Sequence, residues 1–198
     1  MTHTKKIFFV TTNAAKFEEV KRWTQELDPS IILEQAAIEL PEYQDSDIYK
    51  VAIGKANAAW DLFKKPVLID DGGIYFEQYN NFPGTFAKFV YQGIGLEGIW
   101  KLIENDTRTM FLSCLVYKDT ADSYHLFEGT CNGHIIKPTG DILKAVSLPY
   151  TQIFVPNGAT KTLAQIKGSD EDKIYNHRYK STAQFVQWIK SKIKNSDV

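Results

Sequence analysis

The chain has 198 residues, which is enough for one substantial domain that buries most of its apolar side chains. Its residues are 43% hydrophobic and 24% charged, a composition typical of a globular protein, which excludes a disordered or fibrous one. The formal net charge of -1 argues against a protein that binds polymeric nucleic acid through a basic surface. The sequence contains neither a stretch as long and apolar as a transmembrane helix nor a signal-peptide pattern, so we expect no membrane partner and a cytoplasmic location.

The N-terminal segment predicts a strand, a turn and a helix. Residues 7–10 are apolar and β-rich, and apolar residues then recur at helical spacing from Phe17 to Leu27. Asn13 lies where a helix N-cap is expected. Backbone N–H groups, the helix dipole and Lys16 therefore converge at residues 11–16, and a phosphate is the natural ligand of such a point. A simple N-cap with a surface lysine is the alternative, because the segment has no glycine-rich nucleotide-binding fingerprint.

A short strand at residues 31–33 precedes a second helix, predicted from about residue 46 to residue 63. Lys55 follows Val51 and Ala52 by four and three positions, so it points toward the apolar face of this helix. A lysine in that position either extends to solvent, which is the commoner outcome, or meets a negative partner.

Three carboxylates are candidates for a metal site. Residues 66–70 predict a strand that ends at Asp70, Asp71 and the two glycines that follow, while Glu42 follows a proline in a polar stretch. Ligands of α/β proteins bind at the carboxyl edge of the sheet, and Mg²⁺ prefers carboxylates together with water and phosphate oxygens. A solvated turn before two glycines is the alternative interpretation.

The second half of the chain adds helices, a hairpin, two strands and a pair of buried thiols. The predicted elements are helices at residues 85–91, 96–103 and 176–194, a hairpin of strands at 109–117 and 123–130, and strands at 133–136 and 151–155. We expect Cys114 and Cys131 to be small buried hydrophobes, with a disulfide the less favoured option. Because helices and strands interleave throughout, the sequence predicts a single mixed α/β domain over residues 1–198, with two lobes.

Taken in order, these segments resemble the inosine triphosphate pyrophosphatase family, the Ham1-like non-canonical purine nucleoside triphosphatases. The motifs that carry the resemblance are residues 9–16, residues 40–44, Lys55-Ala56, Asp70-Asp71, Pro83-Gly84, Gly129 with Gly133, residues 154–158, residues 162–164 and His177-Arg178. The resemblance implies an elongated central mixed β-sheet flanked by helices, two lobes with an active-site cleft and a homodimer. It also implies hydrolysis of triphosphates such as ITP, dITP and XTP to the monophosphate and pyrophosphate.

The resemblance further implies a role for each matching position. Asp71 and Glu42 match the carboxylates that bind Mg²⁺, and Asp71 also matches the proton acceptor for the attacking water. With Lys55 they form the implied catalytic set. The implied phosphate-binding residues are Thr11, Thr12, Asn13, Ala14, Ala15, Lys16, Lys55, Gly72 and Lys88, and His177 and Arg178 match the pair that contacts the base.

The segments at the base end depart from the family pattern. Leu148-Pro149-Tyr150-Thr151 replaces an aromatic and acidic motif, which leaves Tyr150 as the candidate to stack on a base and Thr151 in place of the acid. Lys173 stands one residue away from the usual lysine, and Asn176 replaces a serine. The reaction is therefore better supported than the substrate. The alternatives are a pyrophosphatase with changed base specificity, a non-catalytic nucleotide-binding protein, and a structural or interaction protein.

Overall fold

The structure, a computed structural model, describes residues 5–41, 44–139 and 148–196. Helices and strands interleave along the chain. The helices are α1 (Ala14–Leu27), α2 (Ile48–Phe63), α3 (Ala87–Ile103), α4 (Leu163–Ile166), α5 (Asp170–Tyr175) and α6 (His177–Ser196). The strands are β1 (Lys5–Val10), β2 (Ile31–Ala36), β3 (Val67–Phe76), β4 (Phe82–Gly84), β5 (Arg108–Lys118), β6 (His125–Ile135) and β7 (Phe154–Pro156). Short 3₁₀ turns follow β3 at Glu77–Tyr79 and precede β7 at Pro149–Gln152.

The strands of the described residues form one sheet of mixed direction. Its order is β2-β1-β3-β5-β6-β7, with β4 paired to β3. Strand β1 runs parallel to both β2 and β3, whereas β4 is antiparallel to β3 and β7 is antiparallel to β6. The predicted mixed α/β fold is therefore confirmed.

The described residues fall into two compact units. Unit 1 takes its residues from Met1–Asp71, Ser113–Gly129 and Arg178–Val198, and unit 2 from Gly72–Leu112 and Thr130–His177. In unit 1, α1 and α6 pack apolar side chains such as Phe17, Val20 and Phe185 onto β1, β2, β3, β5 and β6. In unit 2, the core includes Ile99 of α3 and Phe154 of β7. Each unit thus buries its own apolar cluster.

Local periodicity predicts several elements correctly. The strand and helix around Asn13, the long helix ending at Phe63 and the last helix are all present. The predicted pair of helices between residues 85 and 103 is confirmed too, because α3 is interrupted at Gly95, whose φ of 62° is not helical. Both cysteines are buried and neither forms a disulfide, as expected. None of the helices in the described ranges is long and apolar enough to cross a membrane.

Three strand predictions are wrong in their bounds. The strand expected to stop at Asp70 continues through both glycines to Phe76, because β4 pairs with its second half. Residues 133–135 are the end of β6, not a separate strand. In the sequence, a glycine within a strand-like segment suggests that the strand ends there. In the structure, adjacent strands pair with these segments, so the backbone hydrogen bonds of the sheet continue past the glycines. Residues 149–152 form a 3₁₀ turn, so the last strand begins at Phe154, later than predicted.

Candidate functional site

The segment between β1 and α1 is held in place by hydrogen bonds to its own side chains and to β2. The Asn13 side chain caps the helix by accepting the Lys16 N–H at 3.1 Å, and the Thr11 hydroxyl accepts the Asn13 N–H at 3.1 Å. The Thr11 N–H donates to the Ala36 carbonyl at 3.1 Å, and the Gln35 side-chain amide donates to the Thr11 carbonyl at 3.0 Å. The first-turn N–H groups have no carbonyl partner inside the helix, so the end of α1 can bind an anion.

Lys16 extends from this turn to the middle of β3. Its Nζ lies 3.1 Å from Asp70 Oδ2 and donates to the Asp70 backbone carbonyl at 3.2 Å. The Lys16 side chain is 18% exposed, while that of Asp70 is 0% exposed. The Lys16 ammonium is therefore oriented by the carboxylate of Asp70, which solvent does not reach.

Asp71, the next residue of β3, meets a different lysine. Lys55 Nζ of α2 lies 2.9 Å from Asp71 Oδ2, and both side chains remain partly exposed, at 20% and 15%. Of the two outcomes left open for Lys55, the structure gives the negative partner. Successive side chains of a strand point to opposite faces, so Asp70 and Asp71 serve different surroundings. Asp71 is the carboxylate of the pair that solvent and a ligand can reach.

Arg178 lies in unit 1, where its guanidinium bridges two buried carboxylates. Its Nε donates to Asp70 Oδ2 at 2.9 Å, and its Nη1 donates to Glu19 Oε2 at 2.6 Å. Ser113 donates to Asp70 Oδ1 at 2.7 Å and lies 2.9 Å from the Ser181 hydroxyl. Arg178 itself is 4% exposed. The structure thus places this residue in a buried charge network, a setting that its predicted base contact did not include.

The network keeps Asp70 and Arg178 ionised. Burial on its own raises the pKa of Asp70, but the charges of Arg178 and Lys16 and the hydrogen bond from Ser113 hold it well below its ordinary value. Burial has the opposite effect on a cation and lowers the pKa of Arg178, but the charges of Asp70 and Glu19 more than offset this, so the pKa of Arg178 is raised overall. Lys16, Arg178, Glu19 and Asp70 carry two positive and two negative charges, so their formal charges cancel.

The residues predicted for the base end have varied surroundings in unit 2. Tyr150 is buried in the apolar core, where its hydroxyl donates to the Ala87 carbonyl at 2.9 Å and burial raises its pKa. The Thr151 hydroxyl donates to the Leu148 carbonyl at 2.7 Å. His177 is buried and stacks on Phe111, with ring centroids 4.7 Å apart.

The remaining predicted site residues differ in their location and solvent exposure. Lys173 on α5 and Lys88 in the first turn of α3 are exposed, and Gly72 lies within β3. Glu42 lies outside the described residues. Within the ranges that are described, no group of three or more histidine, cysteine or acidic side chains forms a metal cage.

Comparisons with known proteins identify the family of this chain. The Ham1 family model matches residues 7–188. The chain belongs to the Ham1 family. Two relatives support this: the dITP/XTP pyrophosphatase of Saccharolobus solfataricus is 31% identical over 94% of each chain, and the inosine triphosphate pyrophosphatase of Saccharomyces cerevisiae is 30% identical over 92% of this chain and 95% of its own. The family resemblance seen in the sequence is thereby confirmed.

The Ham1 fold is also found among solved structures. The Staphylococcus aureus Ham1 protein superimposes with a TM-score of 0.76 at 20% identity, over 95% of this chain and all of its own. The Coxiella burnetii HAM1 protein gives the same TM-score over 94% of this chain and 99% of its own. At this identity the likeness defines the fold alone.

Sequence reasoning did not connect Glu19, Ser113 and Ser181 to the site. They are ordinary polar residues on α1, β5 and α6, and no local pattern distinguishes them from surface positions. A buried polar side chain requires a partner, but only the packed strands reveal which partner it meets.

Proposed function

We propose that this chain hydrolyses non-canonical purine nucleoside triphosphates, such as ITP, dITP and XTP, to the nucleoside monophosphate and pyrophosphate. The observation that carries the proposal is the arrangement around β3 in unit 1. Lys16, at the capped start of α1, meets Asp70, and Lys55 meets the adjacent, partly exposed Asp71. This combination of an anion-binding helix end, two lysines and an accessible carboxylate suits the hydrolysis of a polyphosphate.

The phosphates are bound by residues 11–16. The N–H groups of Ala14 and Ala15 at the start of α1 and the Lys16 ammonium offset the negative charge that otherwise repels a nucleophile. Lys55, Gly72 and Lys88 contribute further phosphate contacts; the family resemblance supports these roles. Lys55 lies beside Asp71, the carboxylate that activates the water in this proposal, so it places positive charge close to the reacting phosphorus.

Asp71 is the general base. Its carboxylate accepts a proton from the water whose oxygen attacks the α-phosphorus, and the bond from that phosphorus to the bridging oxygen breaks to release pyrophosphate. Lys55 Nζ lies 2.9 Å from Asp71 Oδ2 and helps to fix the position of this carboxylate.

A divalent cation, Mg²⁺ in this proposal, fits the donor set. Asp71 presents a partly exposed carboxylate, the hard oxygen ligand that Mg²⁺ uses together with water and substrate phosphates. Glu42 is the second carboxylate that we propose as a ligand. When bound, the ion withdraws charge from the phosphate oxygens and lowers the pKa of the attacking water.

The base is recognised by Tyr150, Thr151, Lys173, His177 and Arg178 in this proposal, which here depends on the family resemblance. One observation favours a second candidate, the same hydrolysis with a changed base preference. The Tyr150 ring is buried and its hydroxyl is bonded to the Ala87 carbonyl, and a neutral Thr151 stands where the family carries an acid. Changed hydrogen-bond partners redirect selectivity between bases.

A pyrophosphate-release screen tests the reaction and ranks the bases. The purified chain is assayed with ITP, dITP, XTP and the canonical triphosphates, with and without Mg²⁺. We expect release that depends on Mg²⁺ and falls at least about 100-fold in Asp71→Asn, since general-base catalysis contributes about that much. Asp61→Asn is the matched control, because Asp61 pairs with Lys64 on the exposed surface of α2. Equal turnover by Asp71→Asn and the wild type would refute the assignment of the base.

We further propose that the protein is a homodimer, as the family resemblance implies, and that it is located in the cytoplasm. Light scattering coupled to size-exclusion chromatography measures the mass in solution. A mass near 45 kDa, twice that of the 22.6 kDa chain, is expected. A single-chain mass at the concentration of the activity assay would contradict the dimer.

A further inference from the structure

Asp70 is the acidic residue beside the proposed base, and its surroundings differ from those of a catalytic group. Its side chain is 0% exposed, and its oxygens receive Lys16 and Arg178 on Oδ2 and Ser113 on Oδ1. A carboxylate enclosed in this way has no open position for water or a metal. Asp71, on the opposite face of the strand, retains that access.

We propose that Asp70, enclosed by Arg178 and Ser113, is a positioning residue that holds the Lys16 ammonium in the phosphate-binding segment. This inference rests on the proposed function, in which Lys16 offsets phosphate charge. It assigns the residue before the general base a role that differs from base catalysis and from metal binding.

The contacts on Lys16 support this role. Its Nζ meets Asp70 twice, at 3.1 Å to the side-chain carboxylate and at 3.2 Å to the backbone carbonyl of the same residue. Two contacts from one rigid, buried strand residue define the position of an ammonium better than one surface pair. A lysine otherwise has four flexible torsions, and fixing them before the substrate binds removes an entropy cost from binding or from the reaction.

The charge balance of the network explains why Asp70 remains available to Lys16. Arg178 also donates to Glu19 at 2.6 Å, and both of those side chains are 4% exposed. Glu19 thus offsets the charge of Arg178, which leaves the charge of Asp70 to be matched by Lys16. Ser113 fixes the other carboxylate oxygen, so the Asp70 side chain cannot rotate without losing a hydrogen bond.

A double-mutant cycle tests the inference. Asp70→Asn, Lys16→Ala and the double variant are compared with the wild type for kcat and KM with ITP and Mg²⁺, and for the Kd of inorganic tripolyphosphate. We expect Asp70→Asn to lower kcat/KM by about 10- to 100-fold, because misplacement of a charge-stabilising group by about 1 Å has effects of this size. In the Lys16→Ala background the same substitution should change kcat/KM less than about threefold, since residues that act through one another are not additive.

Equal losses from Asp70→Asn in both backgrounds would overturn the inference, because the effect would then not act through Lys16. Unchanged kinetics in a folded Asp70→Asn protein would overturn it as well. The control is Asp61→Asn, the same substitution in an exposed aspartate–lysine pair 2.7 Å apart, for which we expect wild-type kinetics.

Ser113→Ala provides a second variant should Asp70→Asn fail to fold, since it retains every charge and removes one hydrogen bond to Asp70. A smaller loss of kcat/KM that disappears in the Lys16→Ala background supports the inference, and an equal loss in that background refutes it. If the wild type binds tripolyphosphate but hydrolyses no nucleotide, the proposed function fails. The Kd values for tripolyphosphate of the wild type, the two single variants and the double variant then test the role of Asp70. If the wild type does not bind tripolyphosphate, the inference itself is refuted.

Discussion

Replacing Arg178 by methionine removes the cation that joins two buried carboxylates. Arg178 and Glu19 are each only 4% exposed at the side chain, and the side chain of Asp70 is 0% exposed, so water cannot readily replace the lost guanidinium. Breaking a buried ion pair by removal of one partner costs about 3–5 kcal/mol, against a total unfolding free energy of about 5–15 kcal/mol. In a chain of this size each kcal/mol shifts the melting temperature by about 2–4 °C, so we expect a decrease of roughly 6–20 °C.

The measurement is urea and thermal unfolding, followed by circular dichroism at pH 7 without nucleotide. Arg108→Met is the matched control, because Arg108 also contacts two carboxylates, those of Asp106 and Glu77, but its side chain is 67% exposed. Exposed ion pairs contribute little, so this control should melt close to the wild type.

The stability of the charge-balanced double variant Glu19→Gln/Arg178→Met tests whether the loss comes from an uncompensated buried charge. It removes one buried charge of each sign and leaves Asp70 beside Lys16, at 3.1 Å. We expect it to recover at least about 1 kcal/mol relative to Arg178→Met alone, because no carboxylate then remains buried without its cation. If the double variant is as unstable as the single variant, or less stable, the reasoning from charge balance is wrong.

Three further predictions concern stability. Gly133→Ala should cost about 1–3 kcal/mol in chemical unfolding, because a Cβ would clash with the Val155 carbonyl oxygen, whereas its control Gly93→Ala has nothing within 4 Å and should be neutral or stabilising. Asp47→Ala should cost about 1 kcal/mol in the same assay, since the Asp47 side chain caps α2 by accepting the Tyr49 and Lys50 N–H groups. Burial raises the pKa of Asp28, but hydrogen bonds from Ser30 and the charge of Lys190 lower it overall. A depressed folded pKa stabilises the protein above the unfolded value of about 4, so the advantage of the wild type over Asp28→Asn, less than about 1 kcal/mol at pH 7, should shrink as unfolding is measured toward pH 3; an advantage that grows in acid would contradict this.

The two neighbouring aspartates of β3 should respond differently to the same substitution. Asp71→Asn should lower turnover at least about 100-fold whether or not Lys16 is present, because its carboxylate accepts the proton. Asp70→Asn should matter only while Lys16 is there to be held. A comparison of the two substitutions in the Lys16→Ala background therefore separates chemistry from positioning.

Sequence alone determined the parts of this protein whose physics is local. Helical spacing and the N-cap of Asn13 predict α1 and the anion-binding turn before it, and the apolar face of α2 places Lys55 toward the interior. Ordered motifs along the chain indicated the family. These predictions succeeded because capping and periodicity depend on residues only a few positions apart.

Tertiary structure alone decided which charges meet. Arg178 is 108 residues from Asp70 in the sequence, and Lys16 is 54 residues from it, so their contacts follow from the placement of α1, β3 and α6 and from no local pattern. The continuation of β3 beyond Gly72 likewise depends on its pairing with β4. The alternation of side chains along that strand then separates the buried Asp70 from the accessible Asp71, two residues that are chemically identical in the sequence.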